Sequence, residues 1–379
     1  TALAYKARLF LWAASPLVNG NPDMVDFKNP DGTQLVSTVS DREKWKRAMD
    51  ASQEAIIEAE KNYSLYTTNQ KPGSDIQTQG KDNYYNAFTE EDWNGQEYLM
   101  AKGDKTEIWN LQLCSTPRAV QNDQMSWQAT LVPTMEAVEM YYSKNGLPMD
   151  VDPLTKDRDL YSVAPGDSTV LLHRDRDPRF YATVFYNGSS RGNDEISTVA
   201  GANCGLNATS IRYTHTGYYM RKFAHDASNR NSNSDGYMRG VRLAELYYNF
   251  AEVAYQAVGP DKVVSVSGLN LSARDAVNKV RARVNMPGIP SGLSVSDFEK
   301  RYRNDRRVEF ALESDRYFSL RRWKALSSTA VVSGVKVSGT GKNITYERFS
   351  FARTLRGVQD SRTDRKRLAE SWLVVGLYF

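Results

Sequence analysis

The strongest pattern in the chain is a set of apolar residues at helical spacing between Arg239 and Leu326. In its first part, residues 240–259, two of the three faces of a helix are apolar and the third is polar. The three stripes are Leu243, Leu246, Phe250, Val253 and Ala257; Val241, Ala244, Tyr248, Ala251 and Tyr255; and Arg242, Glu245, Asn249, Glu252 and Gln256. A helix that is apolar on two faces packs on two sides, so the pattern predicts a helix inside a helical stack.

Two more helices are predicted in the same region. Ser272 is a capping residue before an apolar stripe that Pro287-Gly288 ends. A Ser/Glu capping box at 296–299 begins a charged helix that is predicted to run to Leu326. Aromatic residues alternate with the charges of this run, which favours a network buried between helices over a solvated charged face. The predicted structural network consists of Arg306, Glu309, Glu313, Arg316 and Arg322.

Helices are also predicted near the start of the chain and in its middle. An apolar stripe marks residues 3–14, and the run TALAYKARLFLWAASP is interrupted by Lys6 and Arg8, so it is interpreted as a helix and not as a signal peptide. A capping box at 40–43 begins a long helix to about Lys61.

The remaining segments are mostly assigned to loops. Residues 62–130 are interpreted as irregular loops with short helices, and residues 132–142 as another helix. The alternating, β-branched and aromatic residues 179–186 predict a strand, followed by a turn at Asn187-Gly188. Residues 187–236 are rich in Gly, Ser and Asn and are predicted to form a long surface excursion.

A pair of strands is predicted near the end of the chain. Residues 331–337 and 344–351 carry the β-branched and aromatic residues typical of strands.

Several segments, taken in order, resemble the SusD/RagB family. They are RLAELYYNFAEVAYQAVG, ARDAVNKVRARVNMPGIP and YRNDRRVEFALESDRYFSLRRWKAL, preceded by LFLWAASPLVNG, KNGLPMD, RDPRFYATVFYNG and GYYMRKF. The resemblance covers the chain from residue 1 to about residue 326. Asp305, Ser314 and Ser319 stand where the family usually has Glu, Gly and Asp.

The resemblance implies a fold and a function. Members of this family are surface glycan-binding lipoproteins that partner SusC-like TonB-dependent outer-membrane transporters. The implied fold is mainly α, with a tetratricopeptide-like helical scaffold, a loop-rich ligand-binding subdomain and short β-hairpins. We expect residues 1–379 to form one SusD-like domain that lacks its usual N-terminal part. The helical scaffold would comprise 1–62 and 239–326, and the ligand-binding part 63–238.

Composition narrows the function classes. The chain has 49 Lys and Arg residues against 45 Asp and Glu residues, a mixed surface that does not indicate nucleic-acid binding. No apolar run is long enough to cross a membrane. The family resemblance implies attachment through a lipid anchor, which we expect to be absent from this chain. Cys114 and Cys204 could pair in an oxidising compartment, but two cysteines do not establish a disulfide framework.

The sequence shows no catalytic constellation, and we expect no cofactor and no metal site. The three histidines, His173, His215 and His225, lack metal-ligand spacing. Signatures of nucleophile elbows, phosphate loops and dinucleotide sites are absent from the sequence. Carboxylate pairs are too common in a chain of this composition to indicate a glycosidase.

Aromatic residues in polar loop sequence are the candidate ligand-binding residues. Sugar rings stack their C–H faces on large flat side chains, which bury much area at small conformational cost. The candidates are Trp109, Trp127, Tyr186 and Tyr213, with the two tryptophans favoured.

The function predicted is therefore capture of oligosaccharides at the cell outer membrane and their delivery to a partner TonB-dependent transporter, without catalysis. A peptide-binding member of the same family, a surface glycoside hydrolase and a pure scaffold of helical repeats are the alternatives.

Overall fold

The computed structural model describes most of the chain in detail. The described residues are 1–68, 72–89, 96–103, 111–112, 114–117, 119–120, 123–124, 129, 131–163, 166–202, 204–206, 213–225, 237–329, 331–341 and 343–352.

Helices form the body of the molecule. The described α-helices are α1 (Ala2–Ala14), α2 (Arg42–Ala59), α3 (Ile76–Thr89), α4 (Met135–Glu139), α5 (Pro178–Thr183), α6 (Leu243–Val258), α7 (Ala273–Arg283), α8 (Val295–Glu309) and α9 (Asp315–Arg322). Within one stack, α2 packs on α1 and α6, and α6 packs on α7 and α8. Their apolar stripes meet in a single core that includes Leu246 and Phe250, both buried as the sequence predicted.

Strands in the described residues occur only as antiparallel pairs. They are β1 (Tyr98–Gly103) with β8 (Tyr237–Arg242), β2 (Ala119–Val120) with β3 (Asp123–Gln124), β4 (Val184–Phe185) with β7 (Tyr219–Met220), β5 (Ser190–Arg191) with β6 (Asp194–Glu195), β9 (Val264–Val266) with β10 (Leu269–Leu271), and β11 (Val331–Thr340) with β12 (Asn343–Ala352). The predicted pair near the end of the chain is confirmed as the β11–β12 hairpin, in which Val335 pairs with Arg348.

The single charged helix predicted from 296 to Leu326 is wrong. The chain forms α8 and α9 with a tight turn between them, where Leu312 and Ser314 have φ of 67° and 62°. Left-handed backbone at two non-glycine residues interrupts the helical hydrogen bonds and changes the direction of the chain. Ser314 stands where the family usually has Gly, the residue that takes this conformation most easily.

The strand predicted at residues 179–186 is also wrong over most of its length. Asp177 caps a helix by accepting a hydrogen bond from the Arg179 amide, and Pro178 occupies the first helical turn. This start signal decides the conformation because proline is already set to the helical φ and needs no amide partner. Only Val184–Phe185 is a strand, and the turn at Asn187-Gly188 follows, with Gly188 at φ +84°.

Smaller differences concern helix ends. The helix predicted at residues 132–142 is shorter, Met135–Glu139, with Thr134 as its cap. The capping residues of α2 and α8 are Asp41 and Ser294, one residue after and two residues before the predicted serines. Ser272 caps α7 as predicted.

Seven charged side chains from separate segments are joined by ion pairs around Glu309 and Glu313, and we call them the buried ion cluster. They are Glu97, Arg179, Lys222, Arg242, Arg283, Glu309 and Glu313. Glu309 is fully buried and accepts from Arg242 at 2.7 Å, from Arg179 at 3.0 Å and from Arg283.

The predicted network around α8 and α9 is confirmed for four of its residues, but its ion pairs join different segments of the chain. Arg306 bonds Asp315 at 2.6 Å, Glu313 bonds Lys222 at 2.7 Å, and Arg322 pairs with Glu252. Each of these partners lies outside α8, so the network ties helices to one another.

Across the described residues, no helix combines the length and the apolar character that a membrane span requires.

Candidate functional site

A surface cleft of about 500 Å³ lies beside the start of α3 and is built around two tyrosines. We call it the tyrosine cleft. Its lining consists of Asp75, Gln77, Thr78, Lys81, Lys144, Arg174, Asp175, Tyr181, Val184, Tyr186, Gly188, Ser189, Ser190 and Arg221. The floor is aromatic and the rim is polar and charged.

The floor is rigid because its rings pack on the core. The Tyr181 and Tyr186 ring centroids are 6.3 Å apart at an angle of 59°. Below them, Tyr186 stacks on Phe180 at 5.3 Å and contacts the His173 ring at 4.6 Å. Aromatic contacts of this kind add to the free energy of burial and hold the rings in place.

Local sequence signals place these tyrosines. The short helix α5, started by Asp177 and Pro178, carries Phe180 and Tyr181 on one turn. After β4 the chain turns at Asn187-Gly188, where Asn187 donates to the Ser168 carbonyl at 2.6 Å and accepts from the Thr198 amide at 2.8 Å.

Gly188 is needed at this turn. It has φ of +84°, and a Cβ on it would lie 2.7 Å from the Ser168 hydroxyl oxygen. Both its conformation and its surroundings therefore disfavour larger residues, and glycine suits the turn behind Tyr186 best.

The rim of the cleft carries two ion pairs whose side chains are partly exposed to solvent. Lys144 donates to Asp175 at 2.8 Å, and Arg174 pairs with Asp167. Asp175 has φ of 54°, a left-handed conformation that is uncommon for a residue other than glycine and is tolerated best by Asn and Asp. Strained backbone of this kind occurs often at ligand-binding sites.

The start of α3 supplies the opposite rim. Asp75 accepts hydrogen bonds from the amides of Gln77 at 2.9 Å and Thr78 at 3.0 Å. These bonds lower the pKa of Asp75, those to Thr78 most, so the carboxylate is charged over the whole physiological range.

Both tyrosine hydroxyls stay protonated at neutral pH. Burial raises the pKa of Tyr186 to about 12, with Tyr181 acting in the same direction and Arg174 and Arg221 opposing it. Burial also raises the pKa of Tyr181, whose hydroxyl accepts from the Arg176 amide at 3.2 Å and donates to the His173 carbonyl at 3.1 Å. The cleft therefore offers neutral aromatic surface flanked by charges.

The histidine beneath the cleft, His173, is not placed to act as an acid or a base. His173 is fully buried, its Nδ1 lies 2.6 Å from the Thr169 hydroxyl and its Nε2 lies 3.0 Å from the Tyr218 hydroxyl. Burial, reinforced by Arg176, lowers its pKa well below the usual value, so this imidazole is neutral and enclosed. Among the described residues, no group of His, Cys, Asp and Glu has the arrangement of a metal site.

Of the four ligand-binding residues proposed from the sequence, one lines the cleft in the described part of the chain. Tyr186 lies on the cleft floor and is 6% exposed. Tyr213 is half-buried next to Thr214 and is not among the described residues that line the cleft. Trp109 and Trp127 lie outside the described residues, so they remain predictions.

Tyr181, Lys144, Arg174 and Arg221 are not predicted from the sequence as site residues. The residues around Tyr181 favour a strand, although Asp177-Pro178 signals a helix start. The rim residues come from separate stretches of the chain, and no pattern in the sequence brings them together.

Comparison with known proteins assigns the fold. A family model described as the SusD family matches residues 93–374, well over half of the chain and beyond the stretch to 326 on which the sequence resemblance rested. No curated protein matches the chain.

Solved structures are similar over most of this chain. The protein named BT4246 has a TM-score of 0.74 and 23% identity, with 92% of this chain and 65% of that one covered. A SusD-like protein, BF3747 from Bacteroides fragilis NCTC 9343, has a TM-score of 0.67 and 19% identity, covering 94% of this chain and 60% of that one. A SusD-like carbohydrate binding protein, BF0978 from the same organism, has a TM-score of 0.51 and 19% identity, with coverage of 88% and 68%.

This chain thus spans less than two thirds of the length of BT4246 and BF3747. Their similarity confirms the predicted mainly α fold with a tetratricopeptide-like helical scaffold and short antiparallel strand pairs. With the family model matched over residues 93–374, the chain belongs to the SusD family.

Proposed function

We propose that the protein binds oligosaccharides in the tyrosine cleft and captures them at the cell surface for a partner TonB-dependent outer-membrane transporter. It acts by binding and release, without breaking a glycosidic bond. The observation that carries this proposal is the cleft itself, with a rigid floor of Tyr181 and Tyr186 and a rim of polar side chains.

The cleft has the chemistry that sugar recognition needs. A pyranose ring has a C–H face that stacks on an aromatic ring, and its hydroxyls lie around the edge. Around the tyrosines, the side chains of Gln77, Asp75 and Lys144 provide amide, carboxylate and ammonium groups for those hydroxyls. The cleft is open to solvent, so several hydroxyls stay hydrated and we expect modest affinity.

Two further observations support the glycan class. The chain belongs to the SusD family, and BF0978, which shares the fold, is named as a carbohydrate binding protein. All of the described lining residues also lie within 63–238, the part proposed to bind ligand, while 1–62 and 239–326 form the proposed scaffold. Trp109 and Trp127 remain the proposed additional stacking platforms.

Calorimetry with a panel of oligosaccharides tests this proposal. In Tyr181→Ala we expect binding to weaken by roughly 1–3 kcal/mol, by analogy with aromatic stacking on bases, because one platform is lost. Tyr161→Ala is the matched control, since Tyr161 is also a half-buried tyrosine that bonds a neighbour, Glu139, and does not line the cleft. Trp109→Ala and Trp127→Ala test the two platforms proposed from the sequence.

Three results would contradict parts of the proposal. Wild-type affinity in Tyr181→Ala, with the melting temperature also unchanged, would remove the cleft as the site. Binding of peptides but of no glycan would favour the peptide-binding alternative. Release of reducing sugar from any bound glycan would favour a glycoside hydrolase.

The transporter partner and the lipid-anchored location at the outer membrane rest on family membership. The direct test is co-expression with a TonB-dependent transporter encoded beside this gene, followed by purification through a tag on the transporter. Absence of this protein from the purified complex would count against the partnership.

A further inference from the structure

Charge is distributed unevenly in the tyrosine cleft. The whole chain has nearly equal numbers of basic and acidic residues, 49 and 45. In the cleft lining, cationic side chains outnumber carboxylates by four to two. The cations are Lys81, Lys144, Arg174 and Arg221, and the carboxylates are Asp75 and Asp175.

Two of the cations are guanidinium groups that flank the aromatic floor. Arg174 follows the short turn Leu171–His173, and Arg221 follows β7, so they reach the cleft from separate segments. The Arg221 guanidinium lies 5.0 Å from the Tyr85 ring centroid and 5.3 Å from that of Phe185. It also donates to the Ser190 carbonyl at 3.2 Å. The two ring contacts and this hydrogen bond together fix the position of the guanidinium group.

Their ion pairs leave the rim cations available to a ligand. Lys144 and Asp175 are 42% and 40% exposed in their side chains, and Arg174 and Asp167 are 38% and 24% exposed. Ion pairs at such exposure contribute little to stability, because water already solvates both partners. An incoming anion can therefore replace or share them at small cost. An arginine also has five N–H donors, more than one carboxylate partner uses.

A guanidinium beside an aromatic ring suits an acidic sugar. Arginine holds a carboxylate or sulfate through two parallel hydrogen bonds, which neutral hydroxyls cannot accept in the same way. The ring of the same sugar can lie on the neighbouring tyrosines, so that stacking and charge act on one residue of the glycan.

We propose that the tyrosine cleft selects oligosaccharides that carry a negatively charged sugar residue. Arg174, Lys144 and Arg221 hold its anionic group, and its ring lies on the more exposed Tyr181, beside the edge of Tyr186. This inference rests on the proposed glycan-binding function and names the ligand class of the same site. The anionic group is a carboxylate, as in a uronic acid, or a sulfate, and the experiment below distinguishes them.

Calorimetry on the wild-type protein with paired ligands provides the first test. One pair is an oligogalacturonide and its methyl ester, which have the same backbone but differ in charge. The other is a sulfated galactan oligosaccharide and its desulfated form. We expect the anionic member of at least one pair to bind about 10- to 100-fold more tightly, the effect of one charge-assisted hydrogen bond or more. Which pair shows the difference identifies carboxylate or sulfate.

Two variants test the residues. Arg174→Gln and Lys144→Gln should each reduce the affinity for the anionic ligand about 10-fold more than the affinity for its neutral partner. Arg47→Gln and Lys46→Gln are matched controls, because Arg47 and Lys46 form exposed ion pairs with Asp41 and Glu43 on α2 and do not line the cleft. We also expect the anionic preference to fall as NaCl is raised from 50 to 500 mM, since salt screens exposed charges.

The failures of this inference and of the proposed function are distinguishable. Equal affinity for both members of each pair overturns the charge preference and leaves glycan binding in place. Tighter binding of the neutral members also overturns it. Binding of no glycan at all overturns the proposed function, and this inference with it.

Discussion

The buried ion cluster and the tyrosine cleft both pair carboxylates with Lys or Arg side chains, but the cluster is buried and the cleft is exposed to solvent. In the cluster, Glu309 and Arg242 are almost completely buried and every carboxylate is bound by two or three cations. In the cleft, Lys144 and Asp175 form one ion pair that is about 40% exposed. Burial, and not residue type, separates a charge that holds helices together from a charge that can meet a ligand.

The physical reason is the cost of desolvation. Removing one partner of a buried pair leaves the other charge without water, which costs several kcal/mol. An exposed pair loses little when it breaks, since water replaces the partner. We therefore propose that the charges near α8 serve stability and that those near Tyr186 serve binding. Three measurements can break or sharpen this comparison.

The largest effect is expected from Glu309→Gln. The substitution leaves Arg179, Arg242 and Arg283 facing a neutral amide, and we expect the free energy of unfolding to fall by about 3–5 kcal/mol. Chemical denaturation measures this change. Glu43→Gln, in the exposed pair with Lys46, is the control and should cost less than about 1 kcal/mol. Equal effects of the two substitutions would remove the distinction between the regions.

Acid should destabilise the protein through the same cluster. Burial by itself would raise the pKa of Glu309, but Arg283, Arg242 and Arg179 outweigh it and lower this pKa to about 2. In the unfolded chain a glutamate has a pKa of about 4.3, so below that value the unfolded state binds a proton that the folded state does not. The contribution of Glu309 to stability is therefore complete above about pH 5 and is lost as the pH falls toward 2.

Denaturation curves at pH 7, 4 and 3 measure this dependence, and Glu309→Gln should show a shallower decline than wild type. A decline of the same steepness in the variant would show that other carboxylates, and not Glu309, carry the acid sensitivity.

The smallest effect on stability is expected in the cleft. Lys144→Gln removes one partner of an exposed ion pair, so the free energy of unfolding should change by less than about 1 kcal/mol. Chemical denaturation of wild type and Lys144→Gln measures this change in the free energy of unfolding. A loss above about 2 kcal/mol would place Lys144 with the structural charges and weaken its assignment to ligand binding.

Helices were predictable where the apolar period was regular. The stripes on α6 and α7 and the capping residue Ser272 indicated helices that the structure confirms. The errors arose where one local signal competed with another. At residues 179–186, β-branched and aromatic residues favoured a strand, while Asp177-Pro178 determined a helix start.

The polar stripe of α6 shows what a one-dimensional pattern leaves open. Arg242, Asn249 and Glu252 looked like a third, polar face, yet each is at most 2% exposed. Their partners are far along the chain: Glu97 and Glu309 for Arg242, and Arg322 for Glu252. A hydrophobic period reports which faces are apolar, but a polar face can be buried when distant charges compensate it.

By itself, the sequence determined the helices of the scaffold, because these depend on periodicity and local capping. The family came from the resemblance of several segments taken in order, and the class of side chain that a glycan would need came from the chemistry of aromatic residues. Only the tertiary structure brought Lys144, Arg174, Tyr181 and Arg221 to one cleft. Their positions depend on how α3, α5 and β7 pack, and these contacts join residues distant in sequence whose spacing carries no local signal. The same packing decided which charges lost their water and which kept it.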